Sequence, residues 1–135
     1  MADTFTFELV SPERILKSGE ATEVIVPGAS GEFTVLPGHA PMLSTLRPGV
    51  MDVTLDGAKT RIYVKSGLIE IDPQRVTVLA QTAFDAAEAD AAKLADELQA
   101  ARDERAAADE TDDELIAHTE AAIDALTRLG GKMDR

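Results

Sequence analysis

Chemistry needs reactive side chains at workable spacing, and residues 24–43, VIVPGASGEFTVLPGHAPML, come nearest to offering it. Gly28 and Gly31 invite comparison with a phosphate cradle. A P-loop also requires a lysine to reach the phosphates and a hydroxyl for magnesium directly after its last glycine. Neither glycine is followed by lysine, and the dinucleotide pattern GxGxxG is missing too. Both glycines therefore read as strand-connecting turns. His39 lies between Gly38 and Ala40. To act as a general base it would need a nucleophile and an orienting acid beside it. No nucleophile elbow occurs, and the nearest hydroxyl in sequence, Ser44, sits in an apolar stretch. His39 reads as a turn residue that bonds its own loop or touches a partner. The acidic runs Asp109–Glu110 and Asp112–Glu114 lack the alternating spacing of a calcium loop and read as a solvated turn and helix start.

Composition closes further routes. The chain has 135 residues and no Cys, which excludes disulfides, thiolate catalysis and Cys-ligated metals. Its two histidines, His39 and His118, cannot build an all-His metal site. No metal, no cofactor and no catalytic residue is expected. The net charge of −12 disfavours both a phosphate backbone and anionic lipid headgroups. Nucleic acid and direct lipid insertion are therefore set aside. Aromatics are 4% of the chain, which argues against a deep aromatic-lined pocket. No apolar run is long enough to span a bilayer. The opening MADTFTFELV has neither the basic region nor the apolar stretch of a signal peptide.

Two kinds of element must position whatever the chain binds. Residues 1–83 contain all 6 prolines and 7 of the 9 glycines. Residues 84–135 contain no proline and 15 alanines, and hold 15 acidic against 6 basic side chains. Pro and Gly punctuate turns, whereas Ala without Pro favours helix. The expected division is a β domain over 1–83 and a helical hairpin over 84–135. Phe5, Phe7 and Leu9 alternate with polar neighbours, as do Met51, Val53 and Leu55. Asp56-Gly57 between two alternating runs is a hairpin signal. Turn signals recur about every ten residues, the spacing of a small antiparallel sandwich or barrel.

In the second part, Phe84, Ala87, Ala91, Leu94, Leu98 and Ala101 form a helical seam, with Asp85 and Glu88 as a capping box at its start. Leu115, Thr119, Ala122, Leu126 and Leu129 form a second seam, with Thr111 and Glu114 as its capping box and Gly130-Gly131 as its stop. A short turn between them predicts an antiparallel two-helix hairpin. Its alanine-rich seam buries little area, so the hairpin should be weakly stable alone and able to detach.

The segment VIVPGASGE, the run LPGHAPML followed by Leu46-Arg-Pro-Gly49, and the later stretches Val64–Ile71 and Val76–Ala80 together resemble the epsilon subunit of F-type ATP synthases, bacterial type. The resemblance is strong to about residue 84 and architectural beyond it. It implies an α+β fold, an antiparallel β-sandwich of about ten strands followed by the hairpin. It also implies a non-catalytic part in the central stalk of a rotary motor, peripheral on the cytoplasmic face of the bacterial inner membrane. The implied partners are the gamma subunit and the c-ring, with the hairpin alone reaching toward alpha and beta. The ring-facing positions carried over are Glu32, Gly38 and His39. A rim ion pair from Glu32 would set register more than affinity, at about 1 kcal/mol or less.

Some relatives bind ATP at the hairpin through a motif like [IL]DxxRA. Here Asp85 matches, but Glu88 stands where the phosphate-binding Arg belongs, and a carboxylate repels phosphate. Little or no ATP binding is expected. The acidic second helix would also repel an acidic target, so hairpin-based inhibition of hydrolysis should be weak. The competing reading is a free-standing regulatory sandwich that dimerises through its helices. A small lyase or hydrolase built on His39 is a more distant rival.

Overall fold

The computed structural model describes residues 3–133, with side chains through Leu129. Nine strands and two helices follow one another: β1 (Phe5–Val10), β2 (Ile15–Gly28), β3 (Gly31–Val35), β4 (Met42–Leu46), β5 (Gly49–Leu55), β6 (Ala58–Val64), β7 (Gly67–Asp72), β8 (Arg75–Ala80), β9 (Ala83–Asp85), α1 (Ala91–Ala107) and α2 (Asp113–Met133). The 14-residue β2 serves both layers of a sandwich. Its first half pairs with β1, beyond which lie β8, β7 and β4; its second half pairs with β3 on one edge and β5 on the other, followed by β6 and β9. A register shift against β5 between Ala21 and Glu23 marks the place where β2 passes from one layer to the other.

Period-two alternation builds the core. Phe5, Phe7, Leu9, Val24, Val26, Met51, Val53, Ile62, Val64, Ile69, Ile71, Val76 and Val78 point inward and are all buried. The Asp-Gly signal is realised: Leu55 faces Ala58 across a two-residue turn whose Asp56 and Gly57 have φ of 49° and 83°. Those values suit a turn that follows the strand twist. One pairing departs from the antiparallel expectation, since β1 and β8 run parallel. They meet across the closing side of the layer rather than through a turn, so no local motif announces them.

The expected helix boundaries need correction. Asp85 and Glu88 do not cap a helix. Residues 83–85 form β9, pairing Val64 with Ala83, Tyr63 with Phe84 and Ile62 with Asp85, and a main-chain ladder there overrides the local capping pattern. The Asp85 carboxylate instead accepts from the Ala87 amide at 2.8 Å in the connecting turn. Asp90 is the cap of α1, accepting from the Lys93 amide at 2.8 Å. Likewise Asp112, not Thr111, accepts from the first turn of α2, at 3.1 Å from the Leu115 amide. Thr111 is engaged elsewhere, its hydroxyl donating to Asp109 at 2.6 Å. α2 continues through Gly130 and Gly131 to Met133 rather than stopping there.

The hairpin lies on the outer face of β5, β6 and β9. A second, smaller core forms there from Tyr63, Ala89, Leu94, Ala101, Ala122, Ala125, Leu126 and Leu129, with Val50, Phe84, Leu98 and Ile123 at its margin. Phe84 therefore joins the seam as expected, but from a strand. Leu115 is half-buried and stands outside this core.

Candidate functional site

Four groups of residues matter for binding. The first is the edge of the sandwich at β3, which pairs only with β2 among the described residues. Glu32 is exposed near the start of β3. His39 follows the other end, in a turn closed by the His39 amide donating to the Leu36 carbonyl at 3.1 Å. Pro37 and Gly38 occupy its central positions, and Gly38 has a φ of 81°, which suits glycine at the third place of such a turn. The Gly38 amide donates to the Pro73 carbonyl at 3.2 Å, tying this turn to the β7–β8 hairpin. The His39 imidazole donates from Nδ1 to the Ala40 carbonyl at 3.0 Å, so its ring is held by its own loop. Glu32 and His39 are not one cluster. They are seven residues apart, Glu32 in the edge strand and His39 in the turn that follows it.

The second group lies on the outward face of the β4-β7-β8-β1 layer, and the sequence reading did not single it out. Thr45, Leu68, Leu79, Val10 and Ile15 are paired in register straight across five strands. Leu68 is 39% exposed, Leu79 47% and Ile15 57%, and Leu43 beside this row is 66% exposed. Between the strands lies a shallow apolar depression lined by Val10, Pro12, Gly67, Leu68 and Leu79. A signal existed: Leu68 and Leu79 occupy the polar phase of strands whose other phase is already apolar. Isolated exposed leucines are ordinary, but a row in register across a sheet marks an interaction face.

The third group joins the sandwich to the hairpin. The Lys17 ammonium lies 2.8 Å from Glu88 and 3.0 Å from Asp85. Hydrogen bonds to Glu88 and then Asp85 hold its pKa above the usual lysine value. Arg14 and Lys93 line the same cleft as these carboxylates. Its cations thus face built-in anions, and Glu88, at the position a phosphate-binding Arg would take, is already engaged by Lys17.

The fourth group is the helix pair. Leu94 and Leu126 are buried and Leu98 half-buried against Tyr63 and Phe84. The Tyr63 and Phe84 rings are 5.2 Å apart, and Lys93 lies 5.6 Å from the Phe84 ring centre. Lys65 pairs with Glu104 of α1, and Arg105 with Glu120 of α2 at 3.6 Å. The apolar face of the hairpin is thus spent on the sandwich and is not left free for a second copy. Among the described residues no helix is long and apolar enough to cross a membrane.

Comparison with known proteins agrees with this geometry. Residues 4–86 match the family described as ATP synthase, Delta/Epsilon chain, beta-sandwich domain. The ATP synthase epsilon chain of Mesorhizobium japonicum is 42% identical over 132 residues, covering 97% of this chain and 96% of that one. That of Rhodospirillum rubrum is 45% identical over 129 residues, covering 93% and 96%. Among solved structures, a chain of the Euglena gracilis mitochondrial ATP synthase (OSCP/F1/c-ring) superposes with a TM-score of 0.70 at 22% identity, covering 96% of this chain and 81% of that one, a likeness of fold. Sequence and architecture agree along the whole length, and the chain belongs to the ATP synthase epsilon-chain family.

Proposed function

We propose that this chain is a non-catalytic subunit of the central stalk of a rotary F-type ATP synthase, where it joins the gamma shaft to the membrane ring and passes torque between them. The observation that carries the reading, beside family membership, is the registered apolar row Leu68–Leu79–Val10–Ile15. It fits a partner that stays in place, because apolar burial is insensitive to salt and favours permanent joints. We assign this face to the gamma subunit. The β3 edge, with Glu32 at one end and Gly38 and His39 at the other, faces the polar loops of the c-ring. The hairpin is the part able to approach alpha and beta. Its exposed acids Asp113, Glu114, Glu120 and Asp124 make it a weak inhibitor against an acidic target. The site of action is the cytoplasmic face of a bacterial inner membrane, with the chain held there by the complex rather than by lipid.

The test is a tagged pull-down from mildly solubilised source membranes, with mass spectrometry and an ATPase assay on the eluate. Recovery of alpha, beta, gamma and c subunits with activity is expected. Recovery of this chain alone, from an extract holding intact synthase, refutes the assignment. Glu32→Ala and His39→Ala should each weaken docking on ring-containing membranes severalfold and leave the melting temperature unchanged, since both side chains lie outside the cores. Unchanged docking in both variants refutes the ring-facing edge.

A further inference from the structure

Tyr63 is fully buried between the sandwich and the hairpin, and its hydroxyl has no hydrogen-bond partner among the described residues. This is unusual, because a buried phenol normally finds an acceptor. Two carboxylates, Glu97 and Glu104, are near enough for their charge to act on the phenol. Both are directed to lysines, Glu104 to Lys65 and Glu97 to Lys93 at 4.0 Å. The ring meanwhile does what an interface aromatic should, stacking on Phe84 within the smaller core.

We propose that the Tyr63 hydroxyl is a built-in release element, which makes the docked hairpin carry an unsatisfied polar group that lifting the hairpin would hydrate. The ring favours docking and the hydroxyl opposes it. A phenylalanine at this place would serve the core better, so the hydroxyl weakens the joint for no packing gain. It acts on an interface of modest apolar area: α1 buries only Leu94 and Ala101 deeply, and α2 adds Leu126 and Leu129 beside the small Ala122 and Ala125. In such an interface the loss of one satisfied hydrogen bond moves the balance between docked and lifted forms appreciably. The hydroxyl leaves the sandwich core untouched, because Tyr63 points away from it into the hairpin.

The test is amide hydrogen exchange on the isolated full-length chain and its Tyr63→Phe variant. This readout needs no other subunit, so it stands or falls separately from the assignment to a rotor. In the variant, amides of α1 and α2 should exchange more slowly, on the order of tenfold. Amides of β7 and β8 in the far layer serve as the internal reference and should change much less. Equal or faster hairpin exchange in Tyr63→Phe overturns the proposal, for it would mean that an ordered water satisfies the hydroxyl when docked. Equal slowing in hairpin and reference strands overturns it as well, because the hydroxyl would then affect the whole fold.

Discussion

Replacing Leu68 and Leu79 together by alanine probes the apolar row most directly. Both side chains project from the outward face of the sheet, opposite each other across β7 and β8. Full transfer of a leucine from water to an apolar contact is worth about 1.5–3 kcal/mol. With Leu79 47% and Leu68 39% exposed, a partner that seals them gains roughly 0.7–1.4 and 0.6–1.2 kcal/mol. Alanine keeps part of that gain. The double variant should therefore bind about 1–2 kcal/mol more weakly, which is roughly a 5- to 30-fold loss. Within the free chain three cross-strand pairs are altered, Thr45–Leu68, Leu68–Leu79 and Leu79–Val10, at about 0.2–1 kcal/mol each, so the melting temperature should fall by several degrees while the chain stays folded. The assay is titration of the purified chain onto synthase heads stripped of their own epsilon chain but retaining gamma. A double variant that is folded and binds within twofold of wild type refutes the reasoning, since the row would then remain exposed in the complex. Leu79→Lys separates burial from contact: a sealed lysine without a partner should cost more than the alanine pair, whereas an exposed one should cost almost nothing.

Two further outcomes follow from the hairpin side. Desolvation first, then the nearby charges of Glu97 and Glu104, raise the Tyr63 phenol above its ordinary value of 10.0. The docked form thus disfavours the tyrosinate, so docking is at its strongest below pH 10 and weakens as pH rises through the docked-state pKa. Lys17, also raised, works in the same direction above its ordinary 10.5. Because Tyr63 is the single tyrosine of the chain, absorbance of tyrosinate reports this directly. Ionisation should begin near pH 10 in an undocked Leu126→Asp variant and distinctly higher in wild type; identical titrations would contradict the buried phenol. Titration calorimetry with magnesium-ATP should show no binding at micromolar concentrations, because Glu88 stands where the resembling motif carries its Arg and already holds Lys17; a clear isotherm would reverse that conclusion.

The sandwich was legible in the sequence wherever its information is local. Phe5-x-Phe7-x-Leu9 and Met51-x-Val53-x-Leu55 show their inward faces by period alone, and Asp56-Gly57 names its turn. The parallel β1–β8 pair was not legible, because it closes a layer between strands far apart in sequence. Nor was β9, whose last residue, Asp85, opens a helical capping pattern that only the waiting edge of β6 overrides. Tyr63 alternates with the inward-facing Ile62 and Val64, which puts it on the outward face of β6, and it is buried because a distant element covers that face. The leucines of the docking row could have been found. They are apolar residues in the wrong phase, and the sheet pairing turns the two anomalies into one surface.

The two outer faces of the sandwich therefore differ in kind. One presents aliphatic side chains in a row, with the Glu8–Arg75 ion pair at its border. The other meets the hairpin through alanines, a few leucines, an aromatic pair and the Lys65–Glu104 ion pair, with Lys17 holding Asp85 and Glu88 at the start of the connection. Each such partly exposed pair contributes about 1 kcal/mol or less and is screened by salt. A joint built by burial of aliphatic area persists through changes of salt and moderate pH. A joint assembled from small residues, charges and one unsatisfied hydroxyl yields to them. On the proposed assignment, the contact that bears torque needs the first property, and a hairpin that leaves its resting place needs the second. The chain separates these demands by placing them on opposite sheets of a single sealed core, so that releasing the hairpin leaves the packing beneath the apolar row undisturbed.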